Sequence, residues 1–565
     1  MSINADLSAQ VNSWLAQDPD PITRTELETL FSAAQTDSDA AIELADAFSA
    51  PLEFGTAGLR GPLGAGPNRM NRVTVLQAAA GLANYLLAQG FAGKPVVIGF
   101  DARYNSEVFA RDTAAVMAGA GLKPKLFSHV VPTPVLAFSI RHQDACAGVM
   151  VTASHNPPQD NGYKVYLGDG RQIVTPADVE IAKLIHAVQD VRTLPQSLEI
   201  EILSSQVIQD YVSVTSQFIA GGPMQQQQRQ NVTSVYTAMH GVGWKTLNSV
   251  IATAGFAEPI AVPEQRDPDP AFPTVAFPNP EEKGALDLAI DLATKNKVDV
   301  LLANDPDADR LAVALPTATG WKALRGDQIG ALLGWWLIKR QQMANQKLSG
   351  TYASSIVSSM LLEPIAKAAG LNYENTLTGF KWVSRVENLL FGYEEALGYC
   401  VDPNNVSDKD GISAALAFLE LVSALKHRNQ TAWEVLDQLA LTHGLHVTDQ
   451  VSVRVTDLAQ VDTVMTALRT NPPKLLGNLA VAKIDDLATG LGKLPETDAI
   501  VVHLLGNNEI AKARVIIRPS GTEPKIKCYL EVVVNSDDLA IAQRSADNEL
   551  QALARDAAPL LEGGK

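Results

Sequence analysis

The segment Asp305-Pro-Asp307-Ala-Asp309-Arg310 sets three carboxylates at alternate positions. Such a set can converge on one hard cation, and all-oxygen donors suit Mg²⁺ or Ca²⁺ rather than zinc. The opening imitates a calcium-binding EF-hand loop, but Arg310 stands where the sixth-position glycine belongs and Pro316 where the twelfth-position glutamate belongs. An EF-hand is therefore excluded, and a solvated acidic turn remains the plain alternative to a metal loop.

A second segment is Thr152-Ala-Ser154-His155-Asn156-Pro157, with Lys164 ten residues past the serine. The serine can act as a nucleophile or cap a turn. A hydrolase elbow is excluded, because GxSxG needs glycines where Thr152 and Asn156 stand. His155 need not serve Ser154, since neighbouring side chains on an extended chain point to opposite faces. In Arg518-Pro-Ser520-Gly521-Thr522-Glu523-Pro524-Lys525, one arginine, two hydroxyls and a glycine offer charged and backbone donors to a phosphate, or form a simple Ser-Gly turn. Phe54-Gly55-Thr56-Ala57-Gly58-Leu59-Arg60-Gly61 is a glycine-rich turn presenting one guanidinium; it lacks the Gly-Lys-Ser/Thr ending of a P-loop. Gly392-Tyr393-Glu394-Glu395-Ala396-Leu397-Gly398 puts two carboxylates at the end of an expected strand, where they suit sugar hydroxyls or simply an exposed edge.

These segments need rigid elements behind them. The first fifty residues read as helical, with Leu7, Val11 and Leu15 at helical spacing. Strands are expected over Pro95–Phe100, Ala147–Val151, Val298–Ala303 and Thr351–Val357, with helices over 106–118 and 361–369. A strand running into a polar loop, repeated along the chain, points to α/β layers with functional loops at the carboxyl ends of strands. The last part reads as α+β, with strands at Val451–Val455, Ala499–Leu505 and Ala513–Ile517 and a closing helix over 539–553. Linkers are expected near 203–206, 319–325 and 443–449, the last as a hinge, and Met224–Gln230 (MQQQQRQ) as a surface loop.

At 565 residues the chain predicts several domains. Its net charge of −17, from 45 basic against 62 acidic residues, offers no long-range attraction to nucleic acid or anionic lipid. Ile329–Ile338 is too short and reads as a buried helix, so no membrane partner is expected. Cys146, Cys400 and Cys528 are scattered without a CxxC pair, and no signal peptide is evident, so a cytoplasmic location is expected.

Serine loop, acidic loop, carboxylate loop and phosphate loop occur in that chain order, and the chain thereby resembles the α-D-phosphohexomutase superfamily, the phosphoglucomutase and phosphomannomutase type. The resemblance implies an α/β fold of four domains around a cleft, three related α/β domains and a C-terminal α+β domain, here 1–203, 204–323, 324–445 and 446–565. It implies a sugar-phosphate substrate, a monomer or homodimer, Mg²⁺, and a sugar bisphosphate (glucose 1,6-bisphosphate) as activator. By the same resemblance Ser154 carries the phosphoryl group and joins Asp305, Asp307 and Asp309 around Mg²⁺. Arg60, His155 and Lys164 surround the transferring group, with Lys164 or His155 accepting the hydroxyl proton. Glu394 and Glu395 meet sugar hydroxyls, Lys381 is a further phosphate or sugar contact or a surface lysine, and Arg518, Ser520, Gly521, Thr522 and Lys525 grip the other phosphate. Tyr393 and Ala396 replace a glycine and a serine common in the family; with FGTAGLRG and Gly379-Phe380-Lys381-Trp382 they resemble the branch of longer phosphoglucomutases, phosphopentomutases and glucose-1,6-bisphosphate synthases.

Overall fold

The computed structural model describes residues 3–54, 58–219, 222, 224–454, 458–519 and 525–562. Ser520, Gly521 and Thr522 of the expected phosphate grip, and Gly55 to Ala57 of the first turn, lie outside the described residues. The chain folds as two compact units, residues 1–323 with 402–420 and residues 324–401 with 421–565.

The first unit holds two mixed sheets. One contains Gly58–Pro62 (β1), Pro95–Phe100 (β2), Lys123–Phe127 (β3), Ala147–Val151 (β4), Asp160–Leu167 (β5) and Glu201–Leu203 (β6), in the order β1-β5-β4-β2-β3-β6. Its centre, β4-β2-β3, is parallel, and the apolar runs of β2 and β4 are buried almost throughout, as expected of strands covered on both faces. The covering helix Arg72–Ala88 is rich in alanine and leucine and starts at Asn71, whose side chain accepts from the Thr74 N–H. The other sheet contains Ser234–Thr237 (β7), Ile260–Ala261 (β8), Val300–Ala303 (β9), Ala312–Thr317 (β10) and Gly320–Ala323 (β11), in the order β11-β10-β9-β7-β8.

The second unit repeats the theme with Thr351–Ser355 (β12), Asn372–Thr376 (β13), Leu389–Glu394 (β14) and Gly398–Cys400 (β15), ordered β13-β12-β14-β15. The texture then changes. Leu445–Arg454 (β16), Leu475–Leu476 (β17), Leu479–Asp486 (β18), Ile500–Leu505 (β19), Lys512–Pro519 (β20) and Lys525–Val534 (β21) form a wholly antiparallel sheet, β16-β21-β20-β19-β18-β17. The helix Leu539–Leu561, longer than expected, packs on it through Ala542, Ala546, Leu550 and Leu553. Ile356, Val357 and Leu377 pack with Leu487, Ala499, Val501, Ile516 and Tyr529, so these last two sheets share an apolar seam.

Two linker expectations and one loop expectation are corrected. Residues 319–325 contain β11, which pairs with β10 and is part of the sheet. The glutamine tract forms a helix at Gln226–Gln230, with the Gln228 side chain accepting from the Gln225 N–H. Between the helix Ala432–His443 and β16 stands only Gly444, at φ +90°, so the 443–449 segment is not a loop.

Candidate active site

Three of the expected functional loops leave the carboxyl ends of strands. Residues 152–159 join β4 to β5, 304–311 join β9 to β10, and 395–397 join β14 to β15. Ser154 (φ +52°), Ala308 (φ +57°) and Leu397 (φ +63°) each adopt a left-handed backbone, one per loop. Non-glycine residues in that region are strained and cluster where surrounding structure over-determines them.

In the first unit the serine and acidic loops meet. Ser154, 2% exposed, donates from Oγ to Asp305 Oδ2 at 2.7 Å and lies 3.2 Å from His155 Nδ1. His155 is thus not turned away from Ser154, because the left-handed turn at Ser154 breaks the extended geometry. Asp305, Asp307 and Asp309 are fully buried, with donor atoms within 4.8 Å of one another. Lys164 Nζ, on β5, donates to Asp307 Oδ2 at 2.7 Å and Asp309 Oδ2 at 2.8 Å. Arg60, on β1, donates to Asn156 Oδ1 at 3.1 Å. A solvated acidic turn is excluded, and the sequence-selected residues of this half converge.

Several partners were not selected from sequence. Lys409 Nζ lies 3.1 Å from Asp309 Oδ2, and the Arg310 N–H donates to Asp305 Oδ1 at 3.0 Å. Thr133 donates from its hydroxyl to Asp307 Oδ2 at 2.6 Å and from its N–H to the Asp307 carbonyl at 2.9 Å. Asp408, beside Lys409, accepts from Tyr166 and Gln172, which fixes the lysine's segment in this unit.

The charges divide unevenly. Burial and the repulsion of Asp307 and Asp309 hold the Asp305 carboxyl far above its usual range. Burial also opposes charge on Asp309, but Lys164, Lys409 and Arg310 outweigh it and hold that carboxyl down. For Lys164, Asp307 and Asp309 overcome burial and keep the ammonium charged. Burial, helped by Arg310 and Arg60, pushes the His155 imidazole well below its usual value, so it is neutral near pH 7. Asp307 Oδ1 and Asp309 Oδ1 are buried and have no hydrogen-bond partner. Unpaired carboxylate oxygens facing a third carboxylate are costly alone and fit a hard divalent cation.

The second unit carries the other expected contacts. Glu394 ends β14 and accepts from the Gly379 N–H at 2.6 Å. Glu395 accepts from the hydroxyls of Ser355 and Ser358, each at 3.1 Å, and burial raises its carboxyl. Lys381 is 6% exposed and packs with its Nζ 5.5 Å from the centre of the Trp382 ring, so it is not a surface lysine. Arg518 and Lys525 lie on β20 and β21, where Lys527 pairs with Arg518 and Arg454 with Lys525. Strand alternation puts these four cations on one face, and sequence alone indicated two of them. Tyr529 on the same strand hydrogen-bonds Arg518 and feels Glu394 and Glu395.

A Cβ on Gly326 would come 1.8 Å from the Glu395 carbonyl oxygen. Gly326→Ala is therefore expected to destabilise the protein by about 1–3 kcal/mol and to raise KM, checked by denaturant titration and steady-state kinetics.

A buried serine bonded into an aspartate triad, ringed by cations on α/β scaffolding, is an arrangement suited to phosphoryl transfer. Family profiles described as phosphoglucomutase/phosphomannomutase match the chain in order: alpha/beta/alpha domain I over residues 51–192, domain II over 209–319, domain III over 325–441, and the C-terminal domain over 452–547. A Haemophilus influenzae protein named "Probable phosphomannomutase" is 50% identical, covering 82% of this chain and 93% of its own. The phosphopentomutase of Mus musculus is 38% identical, covering 95% and 92%. In fold, the chain is similar to the open form of a Paramecium phosphoglucomutase, pp63/parafusin, with a TM-score of 0.68 at 18% identity, covering 91% and 95%. The chain belongs to the phosphoglucomutase/phosphomannomutase family of the α-D-phosphohexomutase superfamily and is a phosphosugar mutase, an isomerase. No helix among the described residues is long and apolar enough to cross a membrane.

Proposed function

We propose that this chain interconverts the 1- and 6-phosphates of a hexose, glucose or mannose, through phospho-Ser154 and a bisphosphate intermediate. The observation that carries this reading is the Ser154 Oγ–Asp305 hydrogen bond inside a buried triad with two unpaired carboxylate oxygens. Asp305, Asp307 and Asp309 hold Mg²⁺, which when bound neutralises charge on the transferring phosphoryl group.

The P–O bond at Ser154 breaks as the sugar hydroxyl forms its own bond to phosphorus. His155 takes the hydroxyl proton and returns one to Ser154 Oγ, 3.2 Å from Nδ1; its neutral imidazole suits that exchange. Lys164 stays charged and compensates Asp307 and Asp309, and Arg60 steadies the loop through Asn156. Glu394 and Glu395 bind sugar hydroxyls, and Lys381 is a further phosphate or sugar contact. Arg518 and Lys525, with Ser520, Gly521 and Thr522, hold the non-reacting phosphate. The bisphosphate turns over and its other phosphoryl group returns to Ser154, with glucose 1,6-bisphosphate as activator.

A pentose phosphate is the second reading. Tyr393 is turned inward, its hydroxyl donating to Asp327 at 3.0 Å, so Ala396 is the departure that removes a sugar contact. The mouse phosphopentomutase also covers more of this chain than the Haemophilus relative. The test is a panel of glucose, mannose, glucosamine, ribose and deoxyribose 1-phosphates with Mg²⁺ and catalytic bisphosphate. The expected result is turnover of a hexose that Ser154→Ala abolishes. Preference for a pentose selects the second reading, net accumulation of bisphosphate points to a synthase, and inertness towards all five overturns the proposal.

A further inference from the structure

The loop that carries Ser154 closes over a guanidinium that none of the steps above uses. Arg103 stands just past the end of β2 in Asp101-Ala-Arg103 and is 4% exposed. Its Nη2 donates to the carbonyl oxygens of Ser154 at 2.6 Å and Asn156 at 2.5 Å. Its Nη1 donates to those of Pro157 at 2.8 Å and Asp160 at 3.1 Å. Four N–H bonds of one planar fork thus meet four carbonyls of one loop. Arginine alone among side chains supplies that donor set; lysine has three donors on a single atom.

The fork is itself fixed. Asp101 lies 3.4 Å from Arg103 Nε and accepts from the Arg103 N–H at 3.0 Å and the Ser106 hydroxyl at 2.7 Å. The Phe272 ring covers the guanidinium, its centre 4.9 Å from Cζ. Asn161 donates to Ser106 Oγ at 3.0 Å and to the Tyr104 carbonyl at 2.8 Å, which ties the start of β5 to the same frame.

Ser154 needs such a frame. Its left-handed φ of +52° directs Oγ toward Asp305, and a serine released from the clamp relaxes toward the ordinary regions of backbone space. We propose that Arg103 is a positioning residue for phosphoryl transfer, gathering the 154–160 carbonyls so that Ser154 Oγ is held in line at the aspartate triad. The inference rests on Ser154 as phosphoryl carrier, and it assigns Arg103 no contact with substrate.

The test compares wild type, Arg103→Lys and Arg103→Ala by steady-state kinetics, melting and amide hydrogen exchange. A displacement of about 1 Å can cost about 100-fold in rate, so kcat is expected to fall about 100-fold with KM unchanged. Exchange should rise across 154–160 and not across β2 and β4, and added guanidinium ion should restore part of the rate to Arg103→Ala. Arg103→Lys keeps the charge and answers the question if the alanine variant does not fold. Wild-type kcat in Arg103→Lys with unchanged loop exchange overturns the inference, as does a loss shared by KM, melting and the whole β2–β4 region. If wild type itself transfers nothing through Ser154, the functional reading falls, and the exchange data still decide whether Arg103 orders the loop.

Discussion

Asp305→Asn is expected to cut kcat by at least about 1,000-fold, equivalent to about 4 kcal/mol of transition-state stabilisation, while raising the melting temperature of the metal-free protein. The two effects share one cause. Three fully buried carboxylates stand within reach of one cation, and without it they repel one another. Lys164 and Lys409 engage Asp307 and Asp309, so the repulsion falls on Asp305, whose carboxyl is held far above its usual 3.8 by burial and its two neighbours. A raised acid loses its stabilising contribution as pH climbs from the unfolded value to the folded one, and a neutral amide removes that loss. Added Mg²⁺ is expected to raise the melting temperature of wild type, because binding to the native state alone stabilises it, and to leave the variant unmoved. Calorimetry with and without Mg²⁺ measures both. A variant that melts below wild type without metal, or that gains as much from Mg²⁺, defeats the argument.

That Ser154 and the three aspartates lie together was open in each segment alone, since either could have been a plain turn; the chain order of the loops, through the family resemblance, joined them, and the structure brings them into contact. The strands Pro95–Phe100 and Ala147–Val151 were readable directly, since a buried parallel strand is a compact apolar run. Arg103 left a faint signal, a charged pair directly after such a run, but nothing local says that its fork meets four carbonyls more than fifty residues away. Lys409 left less. The segment 402–420 follows the sugar loop yet belongs with the first unit, because Asp408 is held by Tyr166 and Gln172 and Asp410 by Tyr211. Those partners are some 200 to 240 residues distant, beyond any periodicity. The expected linker at 443–449 is shorter than read, because one glycine at φ +90° makes the whole turn between the helix Ala432–His443 and β16.

Glu531→Ala is expected to destabilise the second unit by about 3–5 kcal/mol, the cost of stranding a buried charge. Arg514 bonds Glu531 Oε2 through Nε at 2.9 Å and Nη2 at 2.8 Å, and it also donates to the carbonyls of Ile356, at 2.8 Å, and Ser358. Glu531 Oε1 accepts from the Ser359 hydroxyl at 2.7 Å and the Met360 N–H at 2.8 Å, and lies 2.9 Å from His446 Nδ1. Removing the carboxylate leaves all these donors buried, whereas replacing Arg514 and Glu531 together by apolar residues is expected to cost less than Glu531→Ala alone. The pH dependence separates this site from Asp327 nearby, which bonds Ser359 N, Tyr393 and Thr448. Burial opposes the Glu531 charge, but Arg514 and His446 hold its carboxyl at about 2, so its stabilisation is complete above 4.5 and is lost as pH falls toward 2. Burial, with repulsion from Glu395 and Glu531, pushes Asp327 up to about 6, so its contribution runs the other way and is lost as pH rises from 3.8 toward 6. Denaturant titrations across that range are expected to show Glu531→Gln flattening the acid limb and Asp327→Asn flattening the fall in stability between about pH 4 and 6. If Glu531→Ala melts like wild type, the charges are not what fastens the C-terminal sheet, and the apolar seam from Ile356 to Tyr529 carries that contact alone.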